Sequence, residues 1–396
     1  MGSLRAHLIA ILGVVNSIKA STIPSDHGPP EVAKRQAVIT NTWPYGVIGD
    51  SWASGVSYNT HVLYDNNSDF CLRTTESHGP QLAANTSWLG STLIPGLSEA
   101  ACSGSRLIDL ASALGQFQIH NVSNPDVIVM TSGGNNCFFA DIVDNCIYHS
   151  DPTKKYGPAY ADDVGRSGSC AQSLKQAEAY IFDALQNDMN ITINDILADP
   201  VTETNPNFLL YVTGYAQFFG TDFDPWCNNE AWNIPGISPT PYLSQELRTT
   251  FNDLVSQINN LYKSIVNNFH STKARYIDLD AGFSGHRFCE PGANHADQFN
   301  TDSDFTGVYL WNLNWPWQVA APLSETSSTN VTIENAASIM GSDGVTAWGS
   351  GGGEVNVPEN GWKLRPFHPR YTGYTSIKNA IIAQLKTDGF PKTTSP

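Results

Sequence analysis

Apolar residues in this chain occur mainly in short uninterrupted runs rather than in alternation with polar residues. Such runs lie at residues 47–48, 126–130, 208–214 and 275–279. Uninterrupted apolar runs suit strands that are buried on both faces. We therefore expect these four segments to be strands of a parallel sheet covered by helices.

Between these runs, apolar residues recur at helical spacing. The clearest pattern follows Ser244 and extends over residues 247–269, a second covers 171–185, and a third covers 375–385. Strands that alternate with helices are typical of α/β proteins. The pattern predicts a three-layer α/β/α sandwich around the parallel sheet.

The N-terminal 20 residues have the pattern of a secretory signal peptide. Arg5 precedes an apolar run at 8–15, and the small residue Ala20 stands at a plausible cleavage point. The run is much shorter than the roughly 20 apolar residues that a membrane span needs, and no later segment reaches that length. We expect a secreted, extracellular protein with no transmembrane segment.

The dibasic pair at 34–35 favours a propeptide over residues 21–35. The remainder, 36–396, predicts a single domain. A segment at about 301–361 is rich in Ser, Thr, Asn and Gly and has no periodic pattern, so we interpret it as a long insertion.

Charge and cysteine content argue against two kinds of function, nucleic-acid binding and a cysteine-bound zinc site. The formal net charge is −16, with 37 acidic and 21 basic side chains, and such a surface repels nucleic acids. The seven cysteines form no C-x-x-C pair, so a zinc site has no support, and their odd number leaves at least one outside intramolecular pairing. Glycosylation sequons lie at Asn66, Asn85, Asn121, Asn190 and Asn330.

Three turns and one histidine carry candidate chemistry. The turns are "GDS" with Ser51, "ACSGS" with Gly104 and "TSGGNN" with Asn135, and His368 lies in "RPFHPRYTGY". In an open α/β sheet, ligands bind at the carboxyl ends of the strands. Taken singly, Ser51 and Gly104 could be ordinary turn residues and Asn135 a helix cap.

Together these residue types meet the needs of acyl transfer. A serine hydroxyl becomes an effective nucleophile when a histidine accepts its proton. Backbone N–H groups near a glycine, and an asparagine amide, can donate to the oxyanion of the tetrahedral intermediate. No G-x-S-x-G elbow occurs in the chain.

The four blocks, in this order, resemble the SGNH (GDSL-type) hydrolases, over the chain from about Tyr45 onward. "ACSG" and "HRFCEPG" resemble most closely the secreted fungal and actinobacterial esterases and lipases of that family. The resemblance implies a flavodoxin-like fold, Ser51 as nucleophile and His368 as general base. It also implies an oxyanion hole made by Ser51 N–H, Gly104 N–H and the Asn135 side chain.

The chain departs from the family pattern at two positions. Asn136 stands where an aspartate is usual, and we expect a structural effect only. Arg365 stands three residues before His368, where the family usually has the aspartate of the triad. We therefore expect a Ser–His dyad, with the main-chain carbonyl of Arg365 orienting the histidine.

The family pattern also implies three disulfides. The implied pairs are Cys71–Cys102, Cys146–Cys170 and Cys227–Cys289, and Cys137 is left free. The sequence by itself does not fix this connectivity.

These observations predict a secreted, monomeric serine esterase or lipase that uses no cofactor or metal. Lipids, phospholipids and acylated polysaccharides all stay open as substrates. One alternative is a glycosylated carbohydrate-binding module in which Arg365 and Asn136 mark decayed catalysis. A structural wall protein is disfavoured because the chain has no repeats or low-complexity stalk.

Overall fold

The computed structural model describes residues 42–57, 63–65, 71–89, 93–149, 156, 168–220, 225–233, 240–312 and 366–391. All of them belong to the compact unit Asn41–Pro396. The predicted signal peptide, the predicted propeptide and most of the predicted insertion lie outside the described residues and stay predictions.

The described residues form one sheet of five parallel strands. The strands are β1 (Thr42–Gly49), β2 (Ile94–Glu99), β3 (Val127–Thr131), β4 (Leu209–Thr213) and β5 (Ala274–Ile277), in the order β2-β1-β3-β4-β5. Four correspond to the predicted apolar runs. β2 was not predicted because it is an edge strand whose residues are only partly buried, so its sequence "IPGLSE" is not an apolar run.

Among the described residues, ten α-helices connect or flank these strands. They are α1 (Ser51–Ser54), α2 (His78–Ala84), α3 (Ile108–Ala111), α4 (Phe139–Val143), α5 (Ser169–Asp183), α6 (Leu185–Ala198), α7 (Pro200–Glu203), α8 (Gln245–Asn268), α9 (His295–Gln298) and α10 (Tyr371–Thr387). Short 3₁₀ or π turns cover Thr86–Trp88, Gln118–Asn121, Asp144–Tyr148, Pro225–Asn229 and Asp280–Phe283. Within the described ranges, no helix combines the length and apolar character that a membrane crossing needs.

The helices fall into two groups that cover the sheet. α2 and α10 pack against each other, whereas α3, α5, α6 and α8 form a second connected group. Right-handed crossovers put the helix between β1 and β2 on the opposite face from those that follow β2, β3 and β4. The predicted three-layer α/β/α sandwich is confirmed.

The central strands and the longest helix show why the sequence pattern was informative. Every residue of β3 and β4 is buried. In α8 the Ser244 side chain caps the N-terminus by accepting from Leu247 N, and apolar residues from Leu247 to Val266 are buried along one face. Burial on both faces of the strands produces the uninterrupted apolar runs.

The strand order also determines where a ligand can bind. From β1 the chain moves outward to β2 on one side, and β3 then returns to pair on the other side of β1. The carboxyl ends of β1 and β3 therefore border the crevice where the strand order reverses, which is the usual ligand site of such sheets. The Ser51 turn follows β1, the Gly104 turn follows β2 and the Asn135 turn follows β3.

Candidate active site

The turn after β1 is built to present Ser51 at the start of α1. Gly49 has φ +138°, and a Cβ there would lie 2.0 Å from the carbonyl oxygen of Thr131. Asp50 N donates to that same oxygen at 2.9 Å, and Asp50 caps α1 by accepting from Trp52 N at 2.9 Å. Only glycine allows β1 and β3 to approach this closely at the turn.

Ser51 and His368 form a hydrogen-bonded pair. Ser51 Oγ lies 2.6 Å from His368 Nε2, and the two residues are 9% and 3% exposed. His368 Nδ1 lies 3.0 Å from the main-chain oxygen of Pro366. Because a carbonyl only accepts, Nδ1 carries the proton and Nε2 presents the lone pair to the serine hydroxyl.

The carbonyl that faces the histidine belongs to Pro366. Arg365, whose carbonyl the sequence analysis assigned to this role, lies outside the described residues, so that assignment stays a prediction. Phe367, between Pro366 and His368, has φ +64°. This left-handed conformation turns the chain so that Pro366 O reaches the ring two residues later.

A buried arginine holds the segment that carries His368. Trp311 N donates to His368 O at 2.8 Å, and Phe367 N donates to Trp311 O at 2.7 Å. The fully buried Arg370 donates from Nε to Leu310 O at 2.9 Å, and its guanidinium lies 4.4 Å from the centre of the Trp311 ring. Arg370 stands only two residues after His368, but no motif in the sequence marks it as functional.

The two other predicted oxyanion donors lie on adjacent turns. Gly104 has φ +83°, and a Cβ at this position would meet no atom within 4 Å among the described residues. Asn135 Nδ2 donates to Ser105 O at 2.9 Å, which links its turn to the Gly104 turn. An asparagine amide carries two N–H donors, and Ser105 uses one of them.

Gln118, which no sequence motif predicts, connects the Ser51 turn to the Gly104 turn. Its Oε1 accepts from Gly49 N at 2.7 Å, while Nε2 donates to Gly49 O at 3.0 Å and to Ser105 Oγ at 2.9 Å. Gln118 is 1% exposed. It begins a short 3₁₀ turn 69 residues from Gly49, so no local pattern marks it.

Tyr215, which no sequence motif predicts either, links the Ser51 turn to the Asn135 turn. Its hydroxyl donates to Asp50 Oδ2 at 2.6 Å and accepts from Gly134 N at 2.9 Å. Burial raises the pKa of the Asp50 carboxyl to about 7, against the opposing effect of the hydrogen bonds from Tyr215 and Trp52 N. The sequence signal that could have identified Tyr215 is its position just after β4, because loops at this end of the strands carry functional residues in such folds.

Asn136 makes hydrogen bonds away from the serine. Its Oδ1 accepts from Leu107 N at 3.0 Å, and its Nδ2 donates to the hydroxyl of Tyr180 at 2.9 Å. An aspartate could accept from Leu107 N but could not donate from the other atom. The side chain thus anchors α3 and α5 to the Asn135 turn.

The cysteines are arranged in three disulfides and one free thiol. The disulfides join Cys71 to Cys102, Cys146 to Cys170 and Cys227 to Cys289. Cys137 is free and buried, and burial raises the pKa of its thiol to about 12. The first disulfide lies next to the Gly104 turn, where Ser103 N donates to Cys71 O at 2.9 Å.

Three of the five predicted glycosylation sites fall in the described ranges. Asn121 is exposed, and Asn85 and Asn190 are partly exposed. Asn66 and Asn330 lie outside the described residues. Among the described residues, no cluster of three or more His, Cys, Asp or Glu side chains could hold a metal ion.

A partly open cavity lies beside Ser51. Ser51, Gly134 and Asn135 contribute to its lining at the catalytic turns, and α4, α5 and α8 supply mainly apolar side chains. Ser51, whose hydroxyl faces His368 Nε2, and Asn135 therefore border a mostly apolar space. This arrangement suits nucleophilic attack on a carbonyl group that has an apolar substituent.

Comparisons with known proteins agree with this chemistry. No family model matches the chain. It is similar to Lipase 1 of Streptomyces coelicolor, with 27% identity over 176 residues, and to a lipase of Streptomyces rimosus, with 26% identity over 245 residues. The first match covers 44% of this chain and 53% of the relative, and the second covers 62% and 73%.

Solved structures include similar chains. The crystal structure of the extracellular lipase from Streptomyces rimosus is 23% identical, with a TM-score of 0.45, and the match covers 67% of this chain and 91% of that one. The chain spans about half the length of the Streptomyces coelicolor relative.

Proposed function

We propose that this chain, a member of the SGNH hydrolase family, hydrolyses carboxylic esters through an acyl-enzyme on Ser51. The observation that carries the proposal is the 2.6 Å contact between Ser51 Oγ and His368 Nε2, with Nδ1 held by a main-chain carbonyl. The sequence similarity to two curated lipases supports the same reaction class.

In the first half of the reaction, Ser51 Oγ attacks the ester carbonyl carbon and passes its proton to His368 Nε2. The carbonyl oxygen becomes an oxyanion, which accepts hydrogen bonds from Ser51 N, Gly104 N and Asn135 Nδ2. The imidazolium keeps its Nδ1–H bond to Pro366 O. The tetrahedral intermediate then expels the alcohol, which takes the proton from Nε2.

In the second half, a water molecule attacks the acyl-enzyme and gives its proton to His368 Nε2. The tetrahedral intermediate expels Ser51 Oγ, which recovers the proton, and the carboxylic acid leaves. A carbonyl oxygen carries only a partial negative charge, so it stabilises the imidazolium less than a carboxylate would. The proposed dyad therefore depends strongly on the oxyanion donors.

The alternative of a decayed carbohydrate-binding module has no supporting observation. Decay would remove or separate the catalytic groups, whereas Ser51 and His368 lie within hydrogen-bond distance. The reaction itself balances with water alone and needs no cofactor.

We also propose that the protein acts outside the cell as a monomer, and that the sequons carry glycans. The three disulfides support an oxidising environment. Exposure of Asn121 is compatible with glycosylation. Gel filtration with light scattering and mass analysis before and after deglycosylation would test both statements.

The first test is hydrolysis of p-nitrophenyl butyrate and octanoate by the wild type and by Ser51→Ala. We expect the variant to lose at least about 10⁴-fold in kcat. Ser54→Ala is the matched control, because Ser54 is a fully buried serine of the same helix with no assigned role in the reaction.

A phosphonate ester provides a second readout. It should add one phosphonyl group to the wild type and to Ser54→Ala, at Ser51, and none to Ser51→Ala. Turnover by Ser51→Ala at the wild-type rate, or labelling at another residue, would reject Ser51 as the nucleophile.

A further inference from the structure

The side chain of Gln118 pairs with the end of β1 on the side that faces β2. The pairing of β2 with β1 ends at Glu99, so no residue of β2 lies opposite Gly49. The Gln118 amide takes that place, since Oε1 accepts from Gly49 N at 2.7 Å and Nε2 donates to Gly49 O at 3.0 Å. Cys102 N adds a bond to Gly49 O at 3.0 Å. The backbone two residues before Ser51 is therefore held by the Gln118 amide at both its N–H and its carbonyl group.

The same amide reaches Ser105, the residue that follows Gly104. Gln118 Nε2 donates to Ser105 Oγ at 2.9 Å, and that hydroxyl donates to Gln116 Oε1 at 2.9 Å. Ser105 is fully buried. Its main-chain oxygen accepts from Asn135 Nδ2 at 2.9 Å. Ser105 therefore connects the Gly104 turn to the Asn135 turn, and Gln118 connects both of them to the end of β1.

We infer that Gln118 is a positioning residue for the proposed ester hydrolysis. Its amide fixes the relative position of the three turns that carry the proposed oxyanion donors. These donors are Ser51 N, Gly104 N and Asn135 Nδ2. The inference rests on the proposed function, because it concerns how that same site stabilises its oxyanion.

Gln118 acts through other residues rather than by contact with the substrate. It is not among the residues that line the cavity beside Ser51. Replacing Gln118 therefore removes no group that lines the site or accepts the serine proton. The oxyanion forms only as the ester carbonyl is attacked, so misplaced donors weaken binding of the transition state and leave binding of the substrate unchanged. The expected result is a lower kcat at constant KM.

Gln118→Met keeps most of the side-chain volume and removes the amide. We expect kcat for p-nitrophenyl butyrate to fall by about 10–100-fold, with KM unchanged within about twofold. Gln298→Met is the matched control. Gln298 is also fully buried, and its amide also bonds to two backbone groups, Cys289 N and Asn294 O, but it lies outside the catalytic turns. This control should lower stability and leave kcat unchanged.

A thionoester tests the oxyanion donors directly. In p-nitrophenyl thionobutyrate a sulfur atom replaces the carbonyl oxygen, and sulfur is a weak hydrogen-bond acceptor, so donors placed for an oxyanion favour the ester. We expect Gln118→Met to lower the ratio of kcat/KM for the ester to kcat/KM for the thionoester by at least about fivefold. Gln298→Met should keep the wild-type ratio. A loss of folded protein alone would not change this ratio, because it affects both substrates equally.

Ser105→Ala tests the same network with a smaller change and serves if Gln118→Met does not fold. Without the serine hydroxyl, Gln118 Nε2 can still donate to Gln116 Oε1, which lies 3.3 Å away. We expect kcat to fall by about tenfold at constant KM, with a lower ratio of ester to thionoester turnover. Combining Ser105→Ala with Gln118→Met should add little to the effect of Gln118→Met alone.

Two results would overturn the positioning role while leaving ester hydrolysis intact. One is a wild-type kcat in folded Gln118→Met and Ser105→Ala, and the other is a lower kcat with an unchanged ratio of ester to thionoester turnover. Failure of the proposed function would look different: the wild type would hydrolyse neither substrate, and Ser51 would not react with the phosphonate.

Discussion

At the scale of single residues, Tyr215 connects the turn of the proposed nucleophile Ser51 to the turn of the proposed oxyanion donor Asn135. Its hydroxyl donates to Asp50, the residue before Ser51, and accepts from Gly134 N, the residue before Asn135. One oxygen atom therefore fixes the spacing of the two turns. A shift of either turn would misplace Asn135 Nδ2 relative to the oxyanion.

We expect Tyr215→Phe to lower kcat by about 10–100-fold with little change in KM, because it removes a positioning contact that matters most in the transition state. Steady-state kinetics on p-nitrophenyl butyrate would measure this split. Tyr211→Phe is the control, since the Tyr211 hydroxyl also donates to a carboxylate, that of Asp388, at 2.8 Å but lies away from the site.

A double-mutant cycle distinguishes positioning from a general structural effect. If Tyr215 acts through the Asn135 turn, Tyr215→Phe should have a much smaller effect in an Asn135→Ala background. If Tyr215→Phe instead lowers kcat by the same factor with and without Asn135→Ala, and by no more than Tyr211→Phe does, then Tyr215 contributes only to stability.

At the scale of elements, Arg370 connects the start of α10 to the segment around Trp311 through hydrogen bonds and a stacking contact. Its guanidinium donates to the carbonyl oxygens of Asn300, Asp302 and Leu310 and stacks on Trp311. Because Trp311 in turn pairs with the backbone of Phe367 and His368, the arginine determines where the histidine stands.

Arg370→Lys should therefore lower both stability and turnover. A lysine keeps the charge but cannot reproduce the fork of donors or the planar stacking. We expect kcat to fall by about tenfold or more and the melting temperature by several degrees. Arg275→Lys, a partly exposed arginine paired with Asp388, is the control and should leave kcat unchanged.

The contrast between predicted and missed elements has a physical basis. The apolar runs behind β1, β3 and β4 were visible because most residues of these strands are buried, and α8 was visible because one face is apolar over many turns. The edge strand β5 is only half-buried, but its segment still carries a short apolar pattern. The edge strand β2 lacks a full apolar run. The helix α6 was missed because its apolar face, interrupted by Asn and Asp, is weak in "LQNDMNITINDILA".

The site shows the same division between local and long-range information. The predicted site residues lie in short motifs whose residue types indicate acyl-transfer chemistry. They are Ser51, Gly104, Asn135 and His368. Gln118, Tyr215 and Arg370 act through hydrogen bonds to residues that are distant in the chain or to backbone atoms. Such contacts leave no periodicity or spacing in the sequence, so only the structure reveals them.

At the scale of the whole molecule, buried ionisable groups make stability depend on pH. His78 is 1% exposed, neither ring nitrogen has a hydrogen-bond partner among the described residues, and burial lowers its pKa to about 4. The unfolded chain therefore binds more protons at His78 between about pH 6.5 and pH 4, so this group lowers the free energy of unfolding as pH falls through that range. Asp50, whose pKa burial raises, acts in the opposite direction between about pH 4 and pH 7.

His78→Phe should remove the decrease in the free energy of unfolding that His78 causes at acid pH. It should also remove the cost of burying two ring nitrogens that have no hydrogen-bond partner among the described residues. We expect the variant to be more stable than the wild type at pH 7, with an advantage that grows by up to about 3 kcal/mol toward pH 4.5. Urea unfolding at the two pH values would measure it, with the exposed His270→Phe as the control. An advantage that does not change with pH would contradict the assigned protonation of His78.

The separation of the catalytic pair has a consequence for biosynthesis. Ser51 and His368 are 317 residues apart in the chain. At the usual rates of translation, the nucleophile turn leaves the ribosome about 15–60 s before the histidine is added. During that interval the nascent chain carries a serine with no base to activate it, and a product terminated anywhere in between would be inert. The proposed activity thus begins only after His368 has been added and α10 has docked.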